Sequence, residues 1–543
     1  MNFKEHQSAQ KLRGGYYTPP ELAEFLARWV GEIKPRTWLE PSCGDGVFFT
    51  AAKTVGIKEA TALGFELDRA EAGKARRRMS ASSISGTVKA QDFLGFALKA
   101  LADRRQRFDA VLGNPPFVRY QYLPTEFQVL SERIFARLEC GFTKHTNAWV
   151  PFILASLALL RPGGRLAMVV PAEIIHVTHA QSLRAYLGSQ CSRLVVIDPE
   201  ELWFADTLQG AVLLLAQKAM PGEPAQGVAI HPVRGRGFLD AAPVDIFSAP
   251  TPINGRTVQG KWTRALMDVP ARALLDQLET HAQMHRFNDV ATVDVGIVTG
   301  ANKFFLVSDE VVDRFKLHRW AHPMFGRSEH CPGIVYDDRQ HRANAKLGSP
   351  TSFLWLDEDA QRDQAGKDYI KLGEEQGLHT RFKCRVRTPW YTVPSVYATE
   401  IGMLKRAHHV PRLILNKAGA YTTDTAYRIR SKVNAERLVA SFLNPLTALS
   451  AELEGRHYGG GVLELIPSEI EKLLIPIHGK SRFDLAKLDR EVRTRPMDDL
   501  LAAHGRAVLE PLGLAASECA LLLDSWSKLR NRRHRVSTEA AGD

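Results

Sequence analysis

A chain of 543 residues is too long for one ordinary domain, and 45% hydrophobic with 24% charged residues is the balance of a globular protein with a proper core. A formal charge of +11 and a pI near 9.3 suit a polyanionic partner. No apolar run approaches the roughly 18 residues of a membrane span, and MNFKEHQSAQKLRGGYY lacks the apolar stretch of a secretory signal, so a cytoplasmic protein with no membrane partner is expected. Cys43, Cys140, Cys191, Cys331, Cys384 and Cys519 form no CxxC pair, which argues against a disulfide framework or a zinc ribbon.

The first predicted element is a helix in TPPELAEFLARWV, with Thr18 as cap, Pro19 in the first position and Glu21 completing a capping box. Leu22, Phe25, Leu26, Trp29 and Val30 then share one face. Short apolar runs follow: TWLE, TALGFEL, GTVKA, FDAVLG, RLAMVV, RLVVID and GAVLLLAQ. Segments long enough for helices separate most of them, such as Leu67 to Met79 and Trp149 to Leu160. That alternation predicts a parallel sheet with crossovers, closed by an antiparallel pair at its edge.

Ligands of such sheets bind beyond the carboxyl ends of the strands. There the sequence carries Glu40 with a small turn at Gly44 and Gly46, then Glu66 and Asp68, then Asp92 and Phe93, then NPPF. The turn is not GxGxxG, which weakens a dinucleotide reading. An acid after the second strand suits a ribose, Asp92 an exocyclic amine, and Phe93 an adenine face. An adenosine without phosphates, carrying a cation, fits best. That describes S-adenosylmethionine.

The stretch VLGNPPFVRY follows the fourth run. Pro115 and Pro116 fix their own φ angles and push Asn114 out of the helical region. Asn114 then offers one acceptor oxygen and the Pro115 carbonyl a second. Two fixed acceptors suit an NH2 group whose lone pair is delocalised into a ring. Drawing both hydrogens out of plane frees that lone pair to attack a methyl carbon, by position and fixed dipoles alone. Phe117 would stack on the base. No metal is required.

These motifs resemble those of the gamma-class, Taq-type adenine-N6 DNA methyltransferases, over residues 1 to about 245. GGYYTPPEL resembles the upstream cofactor motif, WLEPSCGDG the first nucleotide motif, GFELD the second, QDF the third and NPPF the catalytic motif. LRPGGRLAMVVPAEII and LWFADTLQGAVLLLAQK resemble later core strands. The resemblance implies a class I methyltransferase fold: a Rossmann-like, mostly parallel seven-stranded sheet, joined to a mixed α/β target-recognition domain and a helical tail. It implies cofactor contacts from Tyr17, Thr18, Glu40, Ser42, Gly44, Glu66, Asp92, Phe93, Asn114 and Pro116. Asn114 with Pro115 would hold the amine, and Phe117 with Phe204 would sandwich an adenine extruded from double-stranded DNA. Trp203 competes with Phe204 for that place. The best-known members carry NPPY; Phe117 keeps the stacking and lacks the hydroxyl.

The implied domains are 1–245 catalytic, 246–290 a linker rich in Pro, Gly and charge, 291–478 target recognition, and 479–543 a basic helical extension. VDVGIVTGANKFFLV and HYGGGVLELIPSEIEKLLIPI resemble the ends of the family's recognition domain, with Ser468 and Glu471 as a capping box. RFKCRVRTPWYTVPS reads either as a solvated strand edge or as a phosphate-contacting face. His318, His322, His330 and Cys331 gather without the paired spacing of a zinc site. KLRNRRHR reads as a solvated basic helix end.

The NPP motif also serves methyltransferases acting on RNA bases or protein glutamine amides, and a non-catalytic DNA-binding specificity subunit is a further alternative. TPPEL and the large C-terminal half favour DNA. The start lies too close to the upstream motif for an N-terminal nuclease, and no PD-(D/E)xK pattern appears. The expectation is an adenine-specific modification enzyme whose restriction endonuclease is a separate chain.

Overall fold

A computed structural model describes residues 17–57, 59–103, 106–201, 203, 210–458, 460–478 and 483–535. Contacts divide the chain into two compact units, one running to Met267 and taking in Arg535, the other Asp268–His534.

The first unit is a doubly wound α/β sheet. Its strands are β1 (Thr37–Glu40), β2 (Thr61–Phe65), β3 (Gly86–Lys89), β4 (Phe108–Gly113), β5 (Leu160–Pro171), β6 (Cys191–Pro199), β7 (Ala211–Lys218) and β8 (Val228–Val233). The order is β3-β2-β1-β4-β5-β7-β6-β8. Neighbours from β3 to β5 are parallel, β7 runs antiparallel to both β5 and β6, and β8 is parallel to β6. The sheet has eight strands where seven were expected. The eighth covers the far side of β6, so the antiparallel pair lies inside the sheet and not at its edge.

The middle strands read as unbroken apolar runs because both faces are covered. Leu166, Met168 and Val170 of β5 join one hydrophobic cluster, and Ala167 and Val169 join the other. On one face pack α1 (Pro20–Gly31), α2 (Val47–Thr54) and α3 (Arg69–Ala81). On the other pack α4 (Phe93–Asp103), α5 (Thr125–Arg137), α6 (Trp149–Ala158) and α7 (Gln181–Gln190). Leu22, Phe25, Leu26, Trp29 and Val30 are all buried, as the α1 spacing predicts. Its start differs: the helix begins at Pro20, Pro19 is its N-cap, and the Thr18 side chain does not cap it.

The segment 246–290, expected as a linker, is built into the two units. Ile253 bridges to Val228, and Val258 and Trp262 are buried in the first unit's core. The helix Val269–Leu278 and the strand Met284–Arg286 belong to the second unit. That unit carries a five-stranded sheet whose strands in order are Ala291–Val295, Ala426–Ser431, Ile401–Leu404, Leu413–Asn416 and Val335–Tyr336. It also carries a four-stranded sheet and the helices Ala435–Phe442, Pro445–Glu454, Leu485–Thr494, Met497–Leu509 and Ala516–Arg533.

Three local expectations change. The cap of helix Pro467–Ile470 is made by Glu469, whose carboxylate accepts from Ile466 N–H at 3.1 Å, and not by Ser468 with Glu471. RFKCRVRTPWY is no strand edge: Phe382–Arg385 is a short helix and Tyr391 is buried. The helix end in KLRNRRHR is not simply solvated, since Arg533 is fully buried against Glu452. Among the described residues no helix is long and apolar enough to cross a membrane.

Candidate active site

Because β1, β2, β3 and β4 run parallel, the residues that follow them share one edge of the sheet. The order reverses between β1 and β4, which opens a crevice there. Glu40 ends β1, Glu66 follows β2, Asp92 follows β3 and Asn114 follows β4.

The glycine turn after β1 is fastened from below. Cys43 N–H donates to Phe65 O at 2.8 Å and Gly46 N–H to Cys43 O at 2.7 Å. Gly44 and Gly46 have φ of +49° and +88°, the left-handed region that favours glycine. A Cβ on Gly46 would meet Ala75 Cα and Phe49 Cδ2 at 2.9 Å, so this glycine lets α3 pack. A Cβ on Gly44 would meet nothing within 4 Å, so the turn keeps open space beside it. Glu66 holds the turn: Oε2 accepts from Gly44 N–H and Oε1 from Asp68 N–H, each at 2.9 Å. Asp68 itself caps α3.

Glu40 is 1% exposed, and neither carboxylate oxygen has a hydrogen-bond partner among the described residues. Burial, followed by the nearby Asp45 and Glu66 carboxylates, pushes its carboxyl well above the usual range. A buried acid without a partner is costly to ionise unless a cation arrives. That fits the cationic end of S-adenosylmethionine and would disfavour a phosphate. Asp92 Oδ1 accepts from Gly95 N–H at 2.7 Å and so anchors α4. Burial also raises its pKa, against the pull of the Gly95 and Leu94 amides.

Asn114 is oriented by two hydroxyls. Its Nδ2 donates to Thr18 Oγ1 at 3.2 Å, and its main-chain carbonyl accepts from Ser42 Oγ at 2.9 Å. The amide's donor end is thus committed to a buried threonine, and its other end is an acceptor oxygen. The sequence assigns Thr18 to helix capping and to cofactor contact; in the structure its hydroxyl accepts from Asn114 and caps no helix. Pro115 is buried, while Pro116 and Phe117 are half-buried, with Phe117 packed against both hydrophobic clusters.

A second polar knot went unread in the sequence. Glu173, 8% exposed and just beyond β5, accepts at Oε1 from Asn147 Nδ2 at 2.9 Å and Trp149 Nε1 at 3.0 Å. Asn147 Oδ1 in turn accepts from Tyr120 N–H at 3.0 Å, and Ala148 N–H donates to Val118 O at 3.0 Å. Glu173 therefore clamps the segment that leaves Phe117. The strand-end rule that found Glu40 and Glu66 applies equally to VVPAEII.

Other expected residues have partners of their own. Tyr17 is 46% exposed, and its hydroxyl donates to Glu71 at 3.1 Å. Phe93 is 2% exposed, with its ring 5.6 Å from Phe65 and 5.3 Å from Phe152. Trp203 stacks on Phe238 at 5.6 Å, which takes up the ring considered for base stacking. Phe204 lies outside the described residues.

Residues 3–228 match the family model described as N-6 DNA Methylase, and 259–509 match that of the C-terminal domain of the type II methyltransferase M.Eco57I. The chain is 23% identical to the type II methyltransferase M.AccI of Acinetobacter calcoaceticus, over 88% of this chain and 86% of that one. It is 23% identical to the type II methyltransferase M.XamI of Xanthomonas campestris pv. amaranthicola, over 85% of each. Among solved structures, the type IIG restriction endonuclease BpuSI aligns at 14% identity with 98% of this chain and 68% of its own, at a TM-score of 0.43. The two family models lie side by side over most of the chain, whose first part is similar to the N-6 DNA methylases and whose second part is similar to the C-terminal domain of a type II methyltransferase.

Proposed function

We propose that this protein is a gamma-class, NPPF-type modification enzyme that methylates N6 of an adenine turned out of double-stranded DNA. It would do so in the cytoplasm as part of a restriction-modification system. The observation that carries the reading is the orientation of the Asn114 amide: its Nδ2 donates to Thr18 Oγ1 at 3.2 Å, which fixes the oxygen as the amide's accepting end.

S-adenosylmethionine, when bound, supplies the electrophilic methyl carbon. Glu40 would meet its cationic group, Glu66 and the Gly44 turn its sugar, and Asp92 with the backbone near Pro116 its base. Asn114 Oδ1 and the Pro115 carbonyl accept the two hydrogens of the adenine amine, which favours a tetrahedral nitrogen and frees its lone pair. Phe117 stacks on the adenine, and Phe204 would close on its other side. The Glu173 clamp keeps the Phe117 segment in place and needs no group to move as the base arrives.

A paired adenine cannot reach Asn114, so the base leaves the duplex. Reading of flanking bases falls to the second unit, whose helix Phe382–Arg385 exposes Arg381, Lys383 and Arg385 beside the 65%-exposed Phe382. Such a face suits phosphates, and binding should fall steeply with salt. Long-read modification calling on DNA from cells expressing the chain tests the function. N6-methyladenine at one short motif, absent with Asn114→Ala, is expected; unmodified DNA in both would overturn the reading.

A further inference from the structure

Three imidazoles meet in the second unit. His408 and His409 follow the short strand Arg406–Ala407, and His534 is the C-cap of helix Ala516–Arg533. One ligand nitrogen from each lies within 4.8 Å of the other two. We propose that His408, His409 and His534 bind one divalent metal ion of the zinc class, with a fourth position left to water.

The donor set selects the metal. Three imidazoles with no carboxylate or thiolate favour zinc, copper or nickel over calcium or magnesium. Zinc–nitrogen bonds of about 2.0–2.1 Å in a tetrahedron set the nitrogens roughly 3.4 Å apart. The rings must therefore close by at most about 1.4 Å, and His408 and His409 are exposed and able to rotate.

The backbone around them is already built. Arg533 is fully buried, and its Nη2 pairs with the equally buried Glu452 at 2.7 Å. The same guanidinium donates to the His408 carbonyl at 2.7 Å and the His409 carbonyl at 3.1 Å, so it ties the two histidine-bearing segments together. Glu452 balances its charge, which would otherwise repel a cation. His534 Nε2–H donates to the His408 carbonyl at 2.6 Å, which puts the ring's lone pair on Nδ1 for the ion; Arg533 Nη1 lies beside that N–H at 3.0 Å. A ring N–H held by a backbone carbonyl is the usual support of a metal-bound imidazole. The ion would clip the end of the last helix to the 408–409 segment, a structural role that draws nothing from the methyl-transfer site.

The test uses the untagged full-length chain, stripped with EDTA, desalted and titrated with zinc chloride against a chromophoric chelator. One equivalent should bind with a Kd of about a micromolar or tighter. His534→Ala and the double change His408→Ala, His409→Ala should each weaken binding at least about tenfold, while His318→Ala, which removes an exposed imidazole elsewhere, should leave it unchanged. Cobalt(II) added to the unaltered chain should give the visible absorption of a four-coordinate site, which requires no variant to fold. Absence of that absorption, or zinc binding indifferent to loss of His534, would overturn the proposal.

Discussion

The two units place their buried polar groups differently. In the first, Glu40, Asp92, Asn114 and Glu173 stand where strands end, and Glu40 has no hydrogen-bond partner among the described residues. In the second, buried charges meet fixed partners within the fold. Arg533 pairs with Glu452, and Arg428, 6% exposed, donates to the Ser395 and Val295 carbonyls at 2.6 Å. A buried charge left without a partner is expensive and points to a ligand, whereas a buried charge that is matched points to architecture.

The largest effect that sharpens this contrast belongs to the second unit. Arg533→Met should destabilise it by about 3 kcal/mol, because Glu452 stays buried with only His457 Nε2, 3.3 Å away, to face its charge. Adding Glu452→Met should recover most of that loss in chemical denaturation. Cofactor affinity of the folded protein, measured by calorimetry in the cold, should be unchanged by either. A loss of cofactor affinity with unchanged stability would erase the distinction between the units.

Glu173→Ala should act in the opposite sense, lowering kcat for DNA methylation by about ten- to a hundredfold through misplacement of the Phe117 segment. Cofactor affinity should hold. Glu173→Gln keeps the acceptor for Asn147 and Trp149 and should recover most of the rate. Equal loss in both variants would mean that charge, and not the clamp, is what matters.

The smallest effect is on pH. Glu40 has its folded pKa raised above the ordinary value of 4.5, so the folded chain holds a proton that the unfolded chain gives up. Stability without cofactor should therefore decline as pH rises from about 4.5 toward the raised value. Glu40→Gln should flatten that decline in melting curves and also weaken cofactor binding. If the variant keeps the wild-type slope, the raised pKa is assigned to the wrong carboxyl.

These contrasts explain what was legible. Strands buried on both faces give unbroken apolar runs, so β1 to β7 and the acids after β1, β2 and β3 could be read from residue order. The eighth strand, VAIHPV, stands between the Pro- and Gly-rich stretches KAMPGEPAQG and RGRGF, whose composition masks a strand. Thr18 showed its capping potential, but its pairing with Asn114 spans 96 residues and leaves no local pattern. The second unit is built of strands of two to six residues, too short for alternation to register. Its polar knots join positions such as Glu452 and Arg533, 81 apart, which no periodicity links.

The most direct test of the account is chemical identification of the product. Purified chain, duplex DNA and methyl-labelled S-adenosylmethionine are incubated, and the DNA is digested to nucleosides for mass spectrometry. Label should appear in N6-methyladenine and fall by about 10²–10³-fold with Asn114→Ala, the cost of removing one transition-state hydrogen-bond partner. Label in 5-methylcytosine, where a ring carbon and no amine is the acceptor, would contradict the account.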